Sequence, residues 1–242
     1  MTSDATWADS APNEPEKLRE LIDRVRFVLW DLDGPICRLF AGYPAAEVAR
    51  RMVGLVERLG LVDALTEQER TSEDPHFALL GVNRRHPASD LLLDLEEWLT
   101  RQELEAVPSA LPTPYADPLI QTWSAFGVRF AVTTNNSPLV AAEYVKTRGL
   151  ADYFPHIYGR TQNLGLMKPD PYCLRQAMNA LGASPETTLM IGDAPTDLLA
   201  ARAAGVSFLG YARNAKKESE LRNAGAELVV RSLNPVLMLL RG

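Results

Sequence analysis

Short apolar runs alternate along this chain with longer stretches whose apolar residues recur at helical spacing. The apolar runs predict strands near residues 25–31, 127–134, 187–192, 206–211 and 227–230. The amphipathic stretches predict helices near residues 115–126, 137–149, 171–182, 195–204 and 215–224. Strands that alternate with helices are typical of an α/β fold with a doubly wound parallel sheet, in which ligands bind outside the carboxyl ends of the strands.

A long insertion separates the first predicted strand from the second. It covers about residues 38–111, far more than the few residues that usually join core elements. Helical patterns near 44–59, 62–70 and 89–106 predict that it forms a smaller α-helical domain. We therefore expect a core domain of residues 17–37 and 112–242, a helical domain of residues 38–111, and a disordered tail of residues 1–16.

Two aspartates end the first apolar run, where residues 25–34 have the sequence VRFVLWDLDG. Side chains two positions apart on an extended chain point to the same side, so Asp31 and Asp33 can share one small volume. Like charges that close raise the pKa of one carboxyl unless a cation intervenes. A carboxylate held by a metal can act as a nucleophile, and a neighbour with a raised pKa can act as a general acid. Two aspartates can also simply terminate a strand. The pair alone therefore leaves both the functional and the structural interpretation open.

Polar residues also follow later apolar runs. The strand predicted near 127–134 ends on Thr134 and Asn135, Lys168 precedes a Pro-Asp-Pro turn, and Asp193 and Asp197 flank the start of a predicted helix. Each feature has an ordinary structural explanation, since Thr and Asn end strands and acidic residues favour helix N-termini. Their occurrence together, in order and each at the end of an apolar run, favours a functional site.

The charges of this set predict a metal ion. Four carboxylates, those of Asp31, Asp33, Asp193 and Asp197, face the single lysine Lys168. Such a negative excess is costly to bury without a divalent cation. Hard oxygen ligands suit Mg²⁺, which also binds substrate phosphate.

In order and spacing, the four segments resemble the four motifs of the haloacid dehalogenase-like (HAD) hydrolase superfamily, and among its members the metal-dependent phosphatases. The resemblance covers nearly the whole chain after about residue 25. The insertion after the first motif resembles the helical cap of phosphoglycolate phosphatase-like and β-phosphoglucomutase-like members. It implies a Rossmann-like core with a smaller α-helical cap, whose closure expels water and whose hinges we expect near residues 35–40 and 111–115.

The resemblance also implies roles for the first motif. Asp31 falls on the nucleophile that forms an aspartyl-phosphate, and Asp33 falls on the acid that protonates the leaving alcohol and then activates water. Both belong to the metal site, Asp33 through its main-chain carbonyl. The chain departs from the family pattern at Pro35, where a threonine or valine is usual. Because proline lacks an N–H, this departure puts the fine positioning of the loop in doubt.

The remaining motifs receive roles in the same way. Thr134 falls on the residue whose hydroxyl binds a phosphate oxygen, with Asn135 beside it, and Lys168 on the lysine that bridges nucleophile and phosphate. Asp193 matches the direct metal ligand, and Asp197 the outer acidic residue that holds the metal or its waters. Thr134 and Lys168 thus complete the catalytic set.

Residues 76–87 of the insertion are the expected place for substrate selection. Arg84, Arg85 and His86 are the candidates, because an arginine there is able to grip a second anionic group on the substrate. The alternative is a solvated surface loop, since Arg and His are mostly exposed in proteins.

Composition and net charge further restrict the class of protein to which this chain can belong. The chain has 242 residues, 46% of them hydrophobic, which is ample for a sizeable core, and its net charge of -6 argues against nucleic-acid binding. The first 16 residues lack the basic start and apolar stretch of a signal peptide, and no transmembrane run follows, so we expect a cytoplasmic protein without membrane contact. Cys37 and Cys173 are too few for a disulfide framework. A monomer and a homodimer both remain open.

The expected function is a Mg²⁺-dependent phosphatase that hydrolyses a small phosphorylated metabolite, phosphoglycolate- or sugar-phosphate-like, through an aspartyl-phosphate. A phosphomutase of the β-phosphoglucomutase type would use the same residues. A non-catalytic protein that binds a phosphorylated metabolite is the alternative from another class. A dehalogenase needs no metal and in that family lacks the second aspartate, so Asp33 argues against it.

Overall fold

A parallel β-sheet forms the centre of the protein in a computed structural model that describes residues 14–87 and 89–242. The strands in these two ranges are β1 (Phe27–Trp30), β2 (Cys37–Arg38), β3 (Leu111–Pro112), β4 (Arg129–Thr133), β5 (Ile157–Tyr158), β6 (Thr188–Gly192), β7 (Ser207–Tyr211) and β8 (Val229–Val230). Six of them form one sheet in the order β5-β4-β1-β6-β7-β8, and every neighbouring pair is parallel. Their carboxyl ends therefore meet at one edge.

Helices cover both faces of this sheet and form the insertion. Within the described residues they are α1 (Glu14–Arg24), α2 (Ala45–Arg58), α3 (Glu67–Arg70), α4 (Pro75–Arg85), α5 (Asp90–Ala106), α6 (Ala116–Ala125), α7 (Pro138–Thr147), α8 (Tyr172–Leu181), α9 (Pro195–Ala204), α10 (Ala215–Asn223) and α11 (Asn234–Arg241). Successive residues of β1 point to opposite faces of the sheet, so alternate side chains pack against different helices. Val28 and Trp30 pack with α1, α6, α7 and α11, whereas Leu29 packs with α8 and α9.

Residues 45–87 and 89–106, here called the cap, pack around a hydrophobic cluster that also includes Leu164 and Met167 of the core. Met52 of α2, Leu79 of α4 and Leu95 of α5 are fully buried in it. The cap joins the core through the antiparallel pair β2–β3, where Cys37 pairs with Pro112. Helix α5 is a second connection, because Ala106 at its end belongs to the main core cluster. The cap thus contacts the core at the β2–β3 pair, along α5 and through the shared hydrophobic cluster.

The sequence prediction of a doubly wound α/β core with a parallel sheet is confirmed. The edge strand β5 and the helix α4 were not predicted, since β5 has only two residues and α4 lies where a loop was one of the alternatives. Helix α1 begins at Glu14, so the expectation of a disordered tail is wrong for residues 14–16, and residues 1–13 lie outside the described part. Among the described residues, no helix combines the length and the apolar character that a membrane crossing requires.

Candidate active site

A cavity of about 270 Å³ opens at the carboxyl ends of the central strands, between the core and the cap. The loops after β1, β4 and β6 contribute to its lining. The sequence-predicted residues in that lining are Asp31, Asp33, Asn135, Lys168, Asp193 and Asp197. Parallel strand order brings these distant segments together, because β4 and β6 both neighbour β1.

Lys168 occupies the centre of the charged cluster. Its Nζ lies 2.8 Å from Oδ1 of Asp31 and 2.6 Å from Oδ1 of Asp197, and it donates to the carbonyl of Thr133 at 2.8 Å. Burial opposes the charge on this amine, but the carboxylates of Asp197 and Asp31 outweigh burial and raise its pKa. Lys168 is therefore a fixed cation beside the Asp31 carboxylate.

Asp197 is held by the backbone at the start of α9. Its Oδ2 accepts the N–H groups of Asp193 and Ala194, each at 3.0 Å. A Cβ on Gly192 would lie 2.4 Å from the Cβ of Asp197, so only glycine permits this close approach. With Oδ1 bound by Lys168, both carboxylate oxygens of Asp197 are engaged by the protein, which fits the outer role expected for it.

Asp193 faces the first motif from the end of β6. Its Oδ2 lies 3.0 Å from Nζ of Lys217, a residue in the first turn of α10. Gly34 makes room for this carboxylate, since a Cβ on Gly34 would lie 2.6 Å from Cγ of Asp193. The φ of Gly34 is +127°, a conformation that L residues rarely adopt.

Asp33 and Pro35 lie in a hydrogen-bonded turn. Oδ1 of Asp33 accepts the N–H of Leu39 at 2.9 Å, and the turn is closed by Gly34 N–H to Cys37 O at 2.6 Å. The N–H of Cys37 donates in turn to Leu32 O at 3.0 Å. These bonds use the N–H groups on either side of Pro35, so the turn forms without a donor at that position.

Burial weakens the acidity of the cluster. It raises the pKa of Asp31 to about 7, and the Asp197 and Asp193 charges add to this while Lys168 opposes it. Burial likewise raises the pKa of Asp33 to about 6 and that of Asp193 to about 6. Carboxylates with such pKa values near neutrality are suited to proton transfer and to neutralisation by a cation.

The donor set fits a hard divalent cation. One carboxylate oxygen from each of Asp31, Asp193 and Asp197 lies within 4.8 Å of the others. All three residues are buried, and their ligand atoms are oxygens. Mg²⁺ prefers such ligands, and its charge would offset their repulsion.

The second motif forms a rigid polar loop behind the cluster. Asn135 and Lys168 exchange two hydrogen bonds: Asn135 Nδ2 donates to Lys168 O at 3.0 Å, and Lys168 N donates to Asn135 Oδ1 at 2.8 Å. Thr134 is buried, outside the described cavity lining, and its hydroxyl bonds to the side chain and the N–H of Asn136, both at 3.1 Å. Its expected contact with phosphate stays a prediction.

The cap supplies a second wall that contains Glu73, Asp74 and His76. Nδ1 of His76 lies 3.1 Å from Asp74 Oδ1, and its Nε2 lies 3.3 Å from Glu103 Oε1. Burial disfavours charge on the ring, but the Asp74 and Glu103 carboxylates outweigh burial and raise its pKa to about 9. Since both ring nitrogens face protein groups, His76 shapes this wall of the cavity.

The candidates for substrate selection require a correction. Arg84 and Arg85 form ion pairs with the buried carboxylate of Glu69, and Arg85 also donates to the carbonyls of Ala64 and Gly81, each at 3.0 Å. These two arginines and His86 lie outside the described lining of the cavity. Helix α4 directs its first turn towards the cavity and its last turn into the cap, so the pairing with Glu69 replaces the expected grip on substrate.

Two cavity-lining cations were not predicted from the sequence, Arg213 and Lys217. Both follow β7, which neighbours β6 in the sheet. Their sequence signal is weak, because charged residues at a helix start are common on protein surfaces. The rule that ligands bind at the carboxyl ends of parallel strands would have marked them.

Comparison with known proteins agrees with this geometry. Residues 25–205 match the family model of the haloacid dehalogenase-like hydrolases. A phosphoglycolate phosphatase from Rhodospirillum rubrum is 31% identical over 207 residues, which cover 77% of this chain and 80% of that protein. A phosphoglycolate phosphatase from Neisseria meningitidis is 30% identical over 198 residues, which cover 78% of this chain and 81% of that protein.

Solved structures share the fold at low sequence identity. CbbY from Rhodobacter sphaeroides, in complex with phosphate, has a TM-score of 0.62 and 22% identity, and covers 86% of this chain and 94% of its own. A haloacid dehalogenase-like family hydrolase from Streptococcus pneumoniae has a TM-score of 0.64 and 18% identity, and covers 89% of this chain and 98% of its own. Core and cap together therefore have known structural counterparts.

Proposed function

The chain belongs to the haloacid dehalogenase-like hydrolase family and is a phosphatase of small phosphorylated substrates, and on this premise we propose a Mg²⁺-dependent hydrolysis through an aspartyl-phosphate on Asp31. The substrate is a phosphoglycolate- or sugar-phosphate-like metabolite. The observation that carries the proposal is the convergence of Asp31, Asp33, Lys168 and Asp193 on one cavity.

In the first half of the reaction Asp31 is the nucleophile. One of its carboxylate oxygens bonds to phosphorus while the bond from phosphorus to the ester oxygen breaks. Asp33 gives its proton to the departing oxygen, which suits a carboxyl whose pKa burial raises to about 6. Lys168, 2.8 Å from Asp31, orients the nucleophile and offers positive charge to the phosphate oxygens.

In the second half Asp33 acts as a base. Its carboxylate takes a proton from a water molecule whose oxygen attacks phosphorus, and the bond from phosphorus to Asp31 breaks. Inorganic phosphate leaves and both aspartates return to their starting forms. Asp31 and Asp193, with Asp197 behind them, would hold a divalent cation, whose charge would neutralise the phosphate oxygens.

Replacement of the nucleophile tests the proposal. Asp31→Asn should abolish phosphate release from 4-nitrophenyl phosphate with Mg²⁺ present, because an amide cannot form the phosphoenzyme. Asp152→Asn is the matched control, since it makes the same change at an exposed residue outside the cavity lining. Circular dichroism of both variants checks the fold.

Three outcomes would count against the proposal. Undiminished turnover by a folded Asp31→Asn protein would exclude Asp31 as the nucleophile. Isomerised sugar phosphate with little free phosphate would favour a phosphomutase. Binding of phosphorylated ligands by the wild-type protein without phosphate release would favour a non-catalytic binding protein.

A further inference from the structure

Arg213 is a cavity-lining cation without a protein partner. It lies two residues after the end of β7, so its position is set by the carboxyl end of a strand that neighbours β6. The residue is exposed at the cavity and makes no ion pair or hydrogen bond with any residue that the structure describes. An arginine fork in that position has its donors available to a ligand.

The other cavity cations are already engaged by the protein. Lys168 is bound by Asp31 and Asp197, and Lys217 is bound by Asp193 at 3.0 Å. Both nitrogens of His76 face carboxylates. Among the cavity cations that the structure describes, Arg213 is therefore the one that forms no ion pair or hydrogen bond with a protein group.

Arg213 lines the same cavity as the residue that is proposed to act on the leaving oxygen. Asp33 and Arg213 both belong to the lining of this cavity. In the proposed reaction Asp33 protonates the leaving oxygen. A substituent on the leaving alcohol is thus within the region that Arg213 faces.

The cap wall of the cavity offers no free cation to an anionic substituent, because His76 is paired with Asp74 and Glu103. Glu73 and Asp74 line the cavity from the cap, and the pKa of Asp74 stays below its usual value because His76 outweighs its burial. An anionic substituent of the substrate is therefore disfavoured towards the cap and favoured towards the loop after β7.

We propose that Arg213 is a specificity-determining residue that binds a carboxylate on the leaving alcohol of the substrate. The planar guanidinium matches a carboxylate with two parallel hydrogen bonds, a match that a hydroxyl group lacks. The site then selects phosphate esters of small hydroxy acids over esters of neutral alcohols. This assignment rests on the proposed phosphatase function of the same cavity.

The test compares two substrates of nearly equal size, 2-phosphoglycolate and 2-hydroxyethyl phosphate, which carries a neutral hydroxymethyl group where the first has a carboxylate. The readout is the ratio of their kcat/KM values in the wild type and in Arg213→Gln. We expect the preference for 2-phosphoglycolate to fall about tenfold or more, mainly through KM, because a charge-assisted bond is lost. Arg213→Lys keeps the positive charge but lacks the planar guanidinium. Its ratio of kcat/KM values should therefore lie between those of the wild type and Arg213→Gln.

Lys216→Gln is the matched control. It removes a positive charge three positions away, from a side chain that is 84% exposed and outside the described lining. The ratio should stay at the wild-type value in this variant. An unchanged ratio in Arg213→Gln, or an equal loss on both substrates, would overturn the assignment.

A measurement of ligand binding tests this inference independently of the proposed function. If the wild type releases phosphate from neither of these compounds nor from 4-nitrophenyl phosphate, the phosphatase proposal fails, and calorimetry on the same proteins still tests Arg213. We then expect 2-phosphoglycolate to bind more tightly than 2-hydroxyethyl phosphate, with the difference lost in Arg213→Gln. Equal binding of both compounds to the wild type would refute the carboxylate site by itself.

Discussion

Arg160 of the core and Glu103 of cap helix α5 form a completely buried ion pair, with Nη1 of Arg160 2.8 Å from Oε1 of Glu103. Glu103 also accepts the side-chain amide of Asn136 at 2.9 Å and the N–H of Ser137 at 3.1 Å. The carboxylate therefore connects the cap to the loop of the second motif. This contact anchors α5 on the core and supports the wall that contains His76.

Removal of the Glu103 charge should destabilise the protein strongly. Glu103→Gln leaves the Arg160 guanidinium buried without its main partner, which costs about 3 kcal/mol or more in the free energy of unfolding. Urea unfolding followed by tryptophan fluorescence measures the loss. Glu97→Gln, at a side chain on the same helix that is 68% exposed and paired with Arg101, should cost less than about 1 kcal/mol. Similar losses of unfolding free energy in the two variants would show that the buried ion pair stabilises the protein no more than the exposed one.

Stability should depend on the protonation of His76. Its pKa is about 9 in the folded protein, above the usual value, since Asp74 and Glu103 outweigh its burial. The stabilisation is fully present below about pH 6.5 and is lost as the pH rises through about 9. His76→Gln should remove this dependence, so the difference in unfolding free energy between wild type and variant should shrink from pH 6 to pH 10. A difference that is constant with pH would contradict the charged state of His76.

Mg²⁺ should stabilise the protein through the acidic cluster. Binding to the folded state alone adds about 2.7 kcal/mol when the ion is at 100 times its Kd. Thermal unfolding with and without Mg²⁺ measures the effect as a rise in Tm. Asp193→Asn should abolish most of this rise, whereas Asp152→Asn should keep it. A rise that survives Asp193→Asn would place the ion elsewhere.

A methyl group at Gly34 should displace Asp193. In Gly34→Ala the new Cβ would meet Cγ of Asp193 at 2.6 Å, and φ is +127°. We expect loss of phosphatase activity together with a weaker Mg²⁺ response in Tm. Gly149→Ala controls for backbone conformation, because Gly149 has φ +66° and open space around its Cβ position. It should cost about 1 kcal/mol of stability and leave turnover unchanged. Full activity in Gly34→Ala would show that the close approach to Asp193 is dispensable.

The sequence by itself determined the core and the location of its acidic residues. Each parallel strand buries a short apolar run, and the residue after the run lies at the carboxyl edge whatever the rest of the fold does. Asp31 and Asp193 therefore lie close together because β1 and β6 are neighbours. The alternation of strand and helix patterns was sufficient to predict that edge.

The tertiary structure alone decided what the cap contributes. Arg84 and Arg85 turn towards Glu69 inside the cap, while His76 of the same helix lines the cavity. The orientation of that helix depends on contacts distant in sequence, such as that of Arg160 with Glu103, 57 positions apart. Helical spacing shows which residues share a face but not which partner that face meets, because the partner is chosen by packing and charge across the whole molecule.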